Sequence, residues 1–404
     1  MALLALLGEL FPGRITVLHL NHGLRGEASD TDAGFVRAAA QRAGMPCVVE
    51  RAAGLRGPNL EERARHARYE FLLRAARAHA LERVATAHTL DDQAETFLLR
   101  LLRGAGATGL AGIQPVTTSG VIRPLLEIER REIEDWLGER GIAWREDASN
   151  RDPVFARNRV RRDLLPQLER EWNPALRQVL ARTATVLRGE EDYWRQWTAT
   201  QLRAYSTANT HGLVLDLGAL PDLHPAALAR LLRAAVERVR GDLRRIDKAH
   251  IDKLAALCRS GQGRGALRLP GLSAVRSFEQ LLLTNRPSAT HAFAVRPVEP
   301  GPMLLADGVA LYIRYNTDAG RAPGPIHPPA VVRGWRPGDS YRPAGYLKKR
   351  KLKDLFQEHK VPSWERRDWP IIESEGRIVW ARKFGVAAEV ELDWTCEDPE
   401  SNTG

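Results

Sequence analysis

The sequence predicts an α/β protein: a Rossmann-like parallel sheet flanked by helices, then a helical middle domain, then a small α+β C-terminal domain. Three observations carry this. Over the first 110 residues, short β-branched runs alternate with segments of helical period. Between residues 171 and 285, apolar positions recur mostly at helical spacing. Beyond residue 286, proline-rich stretches divide the chain into strands around one basic helix. The corresponding domain limits are 1–168, 171–285 and 300–395, and a length of 404 residues suits two to three domains.

The elements follow in order. MALLALLGELF opens as an amphipathic helix; it has no basic n-region and is too short to span a bilayer, so the expectation is a cytoplasmic protein without membrane contact. Residues 14–21 (RITVLHLN) form a strand that ends in Asn21-His22-Gly23. Residues 29–42 read as a helix and 46–50 (PCVVE) as a strand. Asn59 caps a helix over residues 60–80, with Glu62 three positions on. Residues 83–87 (RVATA) are the next strand, leading into HTLDDQAETFLLRLLRGAGATG at 88–109. There Ala94, Phe97, Leu98 and Leu101 recur at helical spacing and predict one buried face.

The chemistry concentrates at that strand-to-helix join. His88, Asp92 and Glu95 are spaced four and three apart, so Asp92 and Glu95 share a side of the first turns, with His88 just outside. Acidic residues in a first turn also suit the helix dipole, and Thr89-x-x-Asp92 has the form of a capping box. In an open parallel sheet, ligands sit outside the carboxyl ends of strands, where His88 falls. His22 ends a strand in the same way, in the stretch HGLRGEASD, although His-Gly and Arg-Gly are also ordinary turn dipeptides.

Residues 144–168 (WREDASNRDPVFARNRVRRDLLPQL) gather Arg157, Asn158, Arg159, Arg161 and Arg162 near Asp147, Ser149 and Asn150. Arginine offers planar, bidentate contact to phosphate; a solvated helix face is the plainer alternative. Gly261-Gln262-Gly263-Arg264-Gly265 reads as a turn before a strand. Prolines over 286–302 and 322–329 mark linkers or strand connections. The last domain carries a basic run, Lys348, Lys349, Arg350, Lys351 and Lys353, followed by Lys360, Arg366 and Arg367 among Phe356, Trp364 and Trp369. Basic groups among aromatics suit an RNA backbone with unstacked bases; the tryptophans serve equally well as core. A net charge of +10 points the same way, towards a polyanionic partner, although an arginine-rich genome would give the same charge without one. Cys47, Cys258 and Cys396 are scattered, form no CxxC, and predict a reducing compartment without a zinc site.

Together, HTLDDQAETFLLRLLRGAGATGLAGI, LNHGLRGEASDTDAGFV and RPLL…WREDASN…FARNRVRRDLLPQL resemble the tRNA(Ile)-lysidine synthase family of the N-type ATP pyrophosphatase (PP-loop) superfamily, and the resemblance runs over nearly the whole chain. It implies ATP-dependent ligation of free L-lysine to C2 of the wobble cytidine in the CAU anticodon of tRNA(Ile), with ATP as co-substrate and Mg2+ as cofactor. By matching positions it implies His88, Asp92 and Glu95 as catalytic residues, with Asp92 and Glu95 as metal ligands. It likewise implies Asn158 and Arg159 as substrate-binding residues, to which the strand-end position adds His22. The basic run at Lys348, Lys349, Arg350, Lys351 and Lys353 then serves tRNA binding, and a homodimer is one state left open. Family members open with a strand and an SGGxDS phosphate loop, a cradle of converging N–H groups; this sequence begins at the helix that follows it. The expectation is therefore an N-terminally truncated PP-loop fold with little ligase activity in the chain alone, and unpaired edges beside the missing strand. The alternative is a tRNA-binding remnant. A tRNA thiolase of the same superfamily is disfavoured by the absence of cysteines near the site.

Overall fold

The computed structural model describes residues 1–24, 26–52, 54, 57, 60–145, 154–286, 295–305, 310–315, 329–390, 392 and 394–397. Asn59, Asp147, Ser149, Asn150 and most of the two proline-rich stretches lie outside the described residues. The chain divides into two compact units, Met1–Arg195 and Gln196–Gly404.

In the first unit, α1 (Ala2–Leu10), β1 (Val17–Asn21), α2 (Glu27–Arg42), β2 (Cys47–Arg51), α3 (Leu60–Ala78), β3 (Val84–Ala85) and α4 (Leu90–Leu102) alternate as expected. They are followed by α5 (Ala107–Leu110), β4 (Val121–Ile122), α6 (Arg130–Glu139), α7 (Ala156–Arg159), a π turn (Val160–Leu164), α8 (Leu165–Glu171) and α9 (Leu176–Tyr205). β1 pairs β2 in parallel, from Val17 opposite Cys47 to Asn21 opposite Arg51. β3 pairs β4 in parallel through Val84–Val121 and Ala85–Ile122. Parallel neighbours need a helical crossover, and α2 supplies it for the first pair. Among the described residues no backbone ladder joins the two pairs. A shared core does so instead: Leu20, Val84 and Val121 pack with Phe71, Leu72, Ala75 and Ala76 of α3.

The predicted stripe of α4 is buried at Ala94, Phe97 and Leu98, against Val160, Leu165, Leu180 and Ala184. Leu101 departs from the expectation: it is 49% exposed, because the last turn of α4 runs past the packed face.

The second unit begins with β5 (Ser206–Asn209), β6 (Gly212–Asp216), α10 (Pro225–Arg240), α11 (Lys248–Arg259), β7 (Arg264–Leu269), β8 (Leu272–Ser277) and β9 (Gln280–Thr284). Pro225 at the first turn and Gly241 at φ 85° just past the end delimit α10. The strands form an antiparallel sheet in the order β5-β6-β9-β8-β7. The middle region thus adds a sheet to the expected helices, and the two pack into one core through Leu228, Leu231, Leu232, Leu254, Leu281 and Leu283. Gly263 lies in the turn before β7, as read from the glycine run, where its carbonyl accepts from Phe278 N–H.

The C-terminal part contains β10 (Arg296–Pro297), β11 (Gly301–Leu304), β12 (Ala310–Tyr315), β13 (Ala330–Gly334), β14 (Ser340–Tyr341), β15 (Arg350–Lys351), α12 (Leu352–Glu358), α13 (Ser363–Arg366), β16 (Pro370–Ser374), β17 (Arg377–Ala381), β18 (Gly385–Val386) and β19 (Trp394–Glu397). Its larger sheet runs β10-β13-β16-β17-β18 and its smaller one β11-β12-β19. This is the small α+β architecture expected. Among the described residues no helix is long and apolar enough to cross a membrane.

Candidate active site

The site begins where β3 ends. Thr86 N–H still bonds to Ile122 O at 3.0 Å, after which the chain turns through His88 into α4. Thr89 caps that helix. Its N–H and its hydroxyl reach Asp92 Oδ2 at 2.9 and 3.2 Å, while Asp92 N–H returns to the Thr89 hydroxyl at 3.4 Å. The capping box read from sequence is therefore present, and it fixes the Asp92 carboxylate. Asp92 Oδ1 meets Arg157 Nη2 at 2.9 Å and Arg161 Nη2 at 3.2 Å.

Glu95, one turn on, is fully buried. Arg161 grips both of its oxygens, at 2.5 Å from Nε and 2.9 Å from Nη2, and Arg157 Nε adds a bond at 2.8 Å. A carboxylate without solvent needs such partners, because an unpaired buried charge costs several kcal/mol. Arg157 and Arg161 reach one target because they are four apart across α7 and the π turn, a wider turn that often marks functional sites.

Asp91, in the first turn of α4, caps a different helix from its own. Its Oδ2 accepts from Arg130 N–H at 2.8 Å at the start of α6, and its Oδ1 from Arg177 Nη1 at 2.6 Å.

The electrostatics follow from this packing. Burial pushes the His88 imidazole down to about 4, against the pull of Asp92 and with help from Arg123, Arg65 and Arg157. At neutral pH His88 is uncharged, and one ring nitrogen, Nδ1, lies 3.0 Å from Thr86 Oγ1. For Asp92, burial alone would raise the pKa; Arg157, the Thr89 N–H, His88 and Arg161 outweigh it and hold the carboxyl below its ordinary value.

His88, Asp92 and Glu95 are thus brought together as expected. The metal reading of Asp92 and Glu95 does not fit: the carboxylate oxygens are taken by two guanidiniums and a cap, and Glu95 has no open side. Among the described residues no group of three or more His, Cys, Asp or Glu is placed to hold a metal. Asn158 is buried in α7 and Arg159 is exposed, so the two do not present one common surface. His22 receives Arg68 Nε and Nη2 at 3.4 and 3.3 Å on its Nε2. Arg65, one turn earlier on α3, is among the charges acting on His88. His22 therefore contacts α3, and His88 lies within the field of a charge one turn away on the same helix.

Arg157 and Arg161 are the residues that pair with Asp92 and Glu95, whereas sequence reasoning singled out Asn158 and Arg159 from the same segment. Their signal was available: a basic pair at four-residue spacing matches an acidic pair at three.

In the C-terminal part, Lys348, Lys349, Lys351 and Lys353 are exposed. Arg350 pairs with Glu358 at 2.8 Å. Two of the three aromatics among them, Phe356 and Trp369, are core residues and not base-stacking platforms, while Trp364 is half-buried. Phe356 and Trp369 are buried with ring centroids 5.4 Å apart, and Trp369 Nε1 donates to Arg382 O at 3.2 Å. Their large apolar area is used in the core. Arg366 is structural too: its guanidinium donates to Val361 O and lies over Phe278 and Phe356.

Comparison with known proteins covers most of the chain. Residues 1–168 match a PP-loop domain, 215–282 a TilS substrate binding domain and 330–400 a TilS substrate C-terminal domain. The tRNA(Ile)-lysidine synthase of Solibacter usitatus is 42% identical over 408 residues, covering 96% of this chain and 91% of the relative. That of Geobacter sulfurreducens is 36% identical, covering 91% and 82%. That of Symbiobacterium thermophilum is 35% identical, covering 90% and 82%. From its PP-loop domain to its C-terminal domain, the chain belongs to the tRNA(Ile)-lysidine synthase family.

Proposed function

We propose that the protein ligates L-lysine to C2 of cytidine 34 in the CAU anticodon of tRNA(Ile), forming lysidine with release of AMP and pyrophosphate. The reading rests on family membership across nearly the whole chain, together with a charged cluster at the exit of β3 in the PP-loop domain. The three matched regions serve as catalytic, middle tRNA-contacting and C-terminal tRNA-binding parts.

Two steps account for the reaction. The cytidine O2 attacks the α-phosphorus of ATP; an O–P bond forms and pyrophosphate leaves. The ε-amine of lysine then attacks C2, a C–N bond forms, and the C2–O bond breaks with AMP as leaving group. Reaching C2 requires the base to leave its stack. An alkylammonium lies about six pH units above a group with a pKa near 4, so His88 is a poor proton acceptor from lysine. The proton goes to solvent, and neutral His88 serves as a hydrogen-bond partner at the reacting centre. Asp92 and Glu95 hold Arg157 and Arg161 in a fixed orientation, preorganised towards the anionic parts of the substrates. Asn158, Arg159 and His22 are retained as binding positions. Because Asp92 and Glu95 do not suit a metal, no step is routed through magnesium. The reaction belongs to the cytoplasm, where tRNA, ATP and lysine meet.

The test is incorporation of radiolabelled lysine into a tRNA(Ile) transcript. It is run with the chain alone and with an SGGxDS strand-loop segment of a relative joined ahead of Met1. One AMP per lysine is expected in the second arm, and none with uridine at the wobble position. tRNA binding without incorporation in either arm would overturn the ligase reading and favour a binding-only protein.

A further inference from the structure

Beside the His88 cluster lies a cavity of about 350 Å3 whose lining includes Arg65, Arg100, Arg103, Arg123 and Arg157. Among the described residues no aspartate or glutamate lines it. Arg157 is the one arginine of the five with carboxylate partners, Asp92 and Glu95. Arg65, Arg100, Arg103 and Arg123 make no ion pair with a carboxylate among the described residues. The charge is graded: Arg65 and Arg103 are exposed, Arg100 and Arg157 half-buried, and Arg123 buried.

Parts of this arrangement have structural uses. Arg100 Nη1 donates to Gly109 O and Gly112 O at 2.6 and 3.0 Å, which ties the loop after α4 to that helix. Arg123 donates to Gln114 O at 2.5 Å and to Tyr69 Oη at 3.1 Å. These bonds leave Arg123 Nε buried with no hydrogen-bond partner among the described residues, the residue being 7% exposed. Arg65 lies over the Tyr69 ring. Carbonyl contacts alone do not call for four unneutralised guanidiniums around one space, where mutual repulsion opposes folding. Such a set is stable when an anion completes it.

We propose that this cavity holds a backbone phosphate of the tRNA nucleotide adjoining the reacting cytidine. The inference rests on the ligase reading and specifies where the first unit grips its RNA. A space of this volume is at the small end of ligand pockets and suits one nucleotide rather than a duplex. Its charged donors are side-chain guanidiniums; the one helix start among the described lining residues is that of the four-residue α7, through Arg157. Triphosphate cradles rely on backbone N–H groups at a helix start, so a phosphodiester is the better match. Thr96, Gln114 and Thr117 add polar side chains, and Leu99 and Ile113 an apolar wall for a sugar or base.

The test uses Arg65→Gln and Arg103→Gln, single and combined; both residues are exposed, and thermal unfolding checks that the fold is kept. Binding of the tRNA(Ile) anticodon stem-loop is measured across salt concentrations, with ATP binding measured separately. The double variant is expected to lose about tenfold or more in RNA affinity, and its log–log salt slope to fall by about two. A methylphosphonate replacing the relevant phosphate beside the wobble cytidine should weaken binding to the parent chain and leave the double variant unaffected. Unchanged RNA affinity and slope overturn the proposal. Loss of ATP binding with RNA binding intact overturns it as well and assigns the cavity to the triphosphate. If the parent chain binds no tRNA(Ile), the functional reading itself has failed, which is a separate result.

Discussion

Lowering the pH from 7 to 5 should destabilise the first unit, with His88 a main contributor beside the half-buried His19, which burial also holds below its ordinary value. The native pKa of His88 is pushed down to about 4, first by burial and then by Arg123, Arg65 and Arg157, with Asp92 opposing. In the unfolded chain a histidine titrates near 6.5. Between those values the unfolded state binds a proton that the native state refuses, so stability falls as pH drops through that window. The full difference, about 2.5 pH units at 1.36 kcal/mol each, is about 3 kcal/mol, of which about 2 kcal/mol is lost by pH 5. The assay is urea unfolding at both pH values for the parent chain and His88→Asn, whose double difference removes other titrating groups. NMR titration of the His88 Cε1–H gives the pKa directly. A midpoint between 6 and 7, or an identical pH dependence in the variant, would refute the argument from burial and arginine charge.

Three further outcomes follow from the same contacts. Glu95→Ala leaves Arg157 and Arg161 facing an empty buried site and should cost about 3–5 kcal/mol in chemical unfolding; a cost below about 1 kcal/mol would mean that the arginines reach solvent. Asp91→Ala removes the bond to Arg130 N–H and the partner of Arg177, and should cost about 2 kcal/mol with hydrogen exchange rising first in α6. Neutralising Lys348, Lys349, Lys351 and Lys353 should weaken tRNA binding and lower the salt slope by up to about three; an unchanged slope would make those lysines a solvated surface only.

Local order was legible where one segment carries the whole pattern. The β1 and β3 runs, the Ala94-Phe97-Leu98 face and the Thr89–Asp92 box follow from spacing alone. What spacing cannot show is the partner at a distance: Arg157 and Arg161 lie more than 60 positions from Asp92 and Glu95. The metal-ligand reading of the acidic pair came from the family resemblance, and nothing in the spacing could set guanidiniums against it, since carboxylates serve a cation of either kind. Trp369 was ambiguous for a related reason, because an aromatic among lysines has the same composition in a core as on a binding surface. The middle sheet was obscured because β5 and β6 are four and five residues long, too short for alternation to stand out from the helices before and after them.

The site and its surroundings have opposite charge balances, and this links the titration of His88 to occupancy of the cavity. Asp92 and Glu95 neutralise Arg157 and Arg161, so that cluster is close to zero net charge. Among the described residues Arg65, Arg100, Arg103 and Arg123 have no such compensation, and the charges of Arg65 and Arg123 lower the pKa of the imidazole. An anion seated among them opposes their field. It should raise the His88 pKa from about 4 part of the way towards 6.5, burial setting the remainder. The imidazole is thus a built-in reporter. Titrating the His88 resonance with and without the anticodon stem-loop should show an upward shift in the parent chain and a much smaller one in the Arg65→Gln, Arg103→Gln double variant. A shift of equal size in both would mean that RNA acts on His88 by covering it rather than by filling the arginine cavity, and the electrostatic link would be lost.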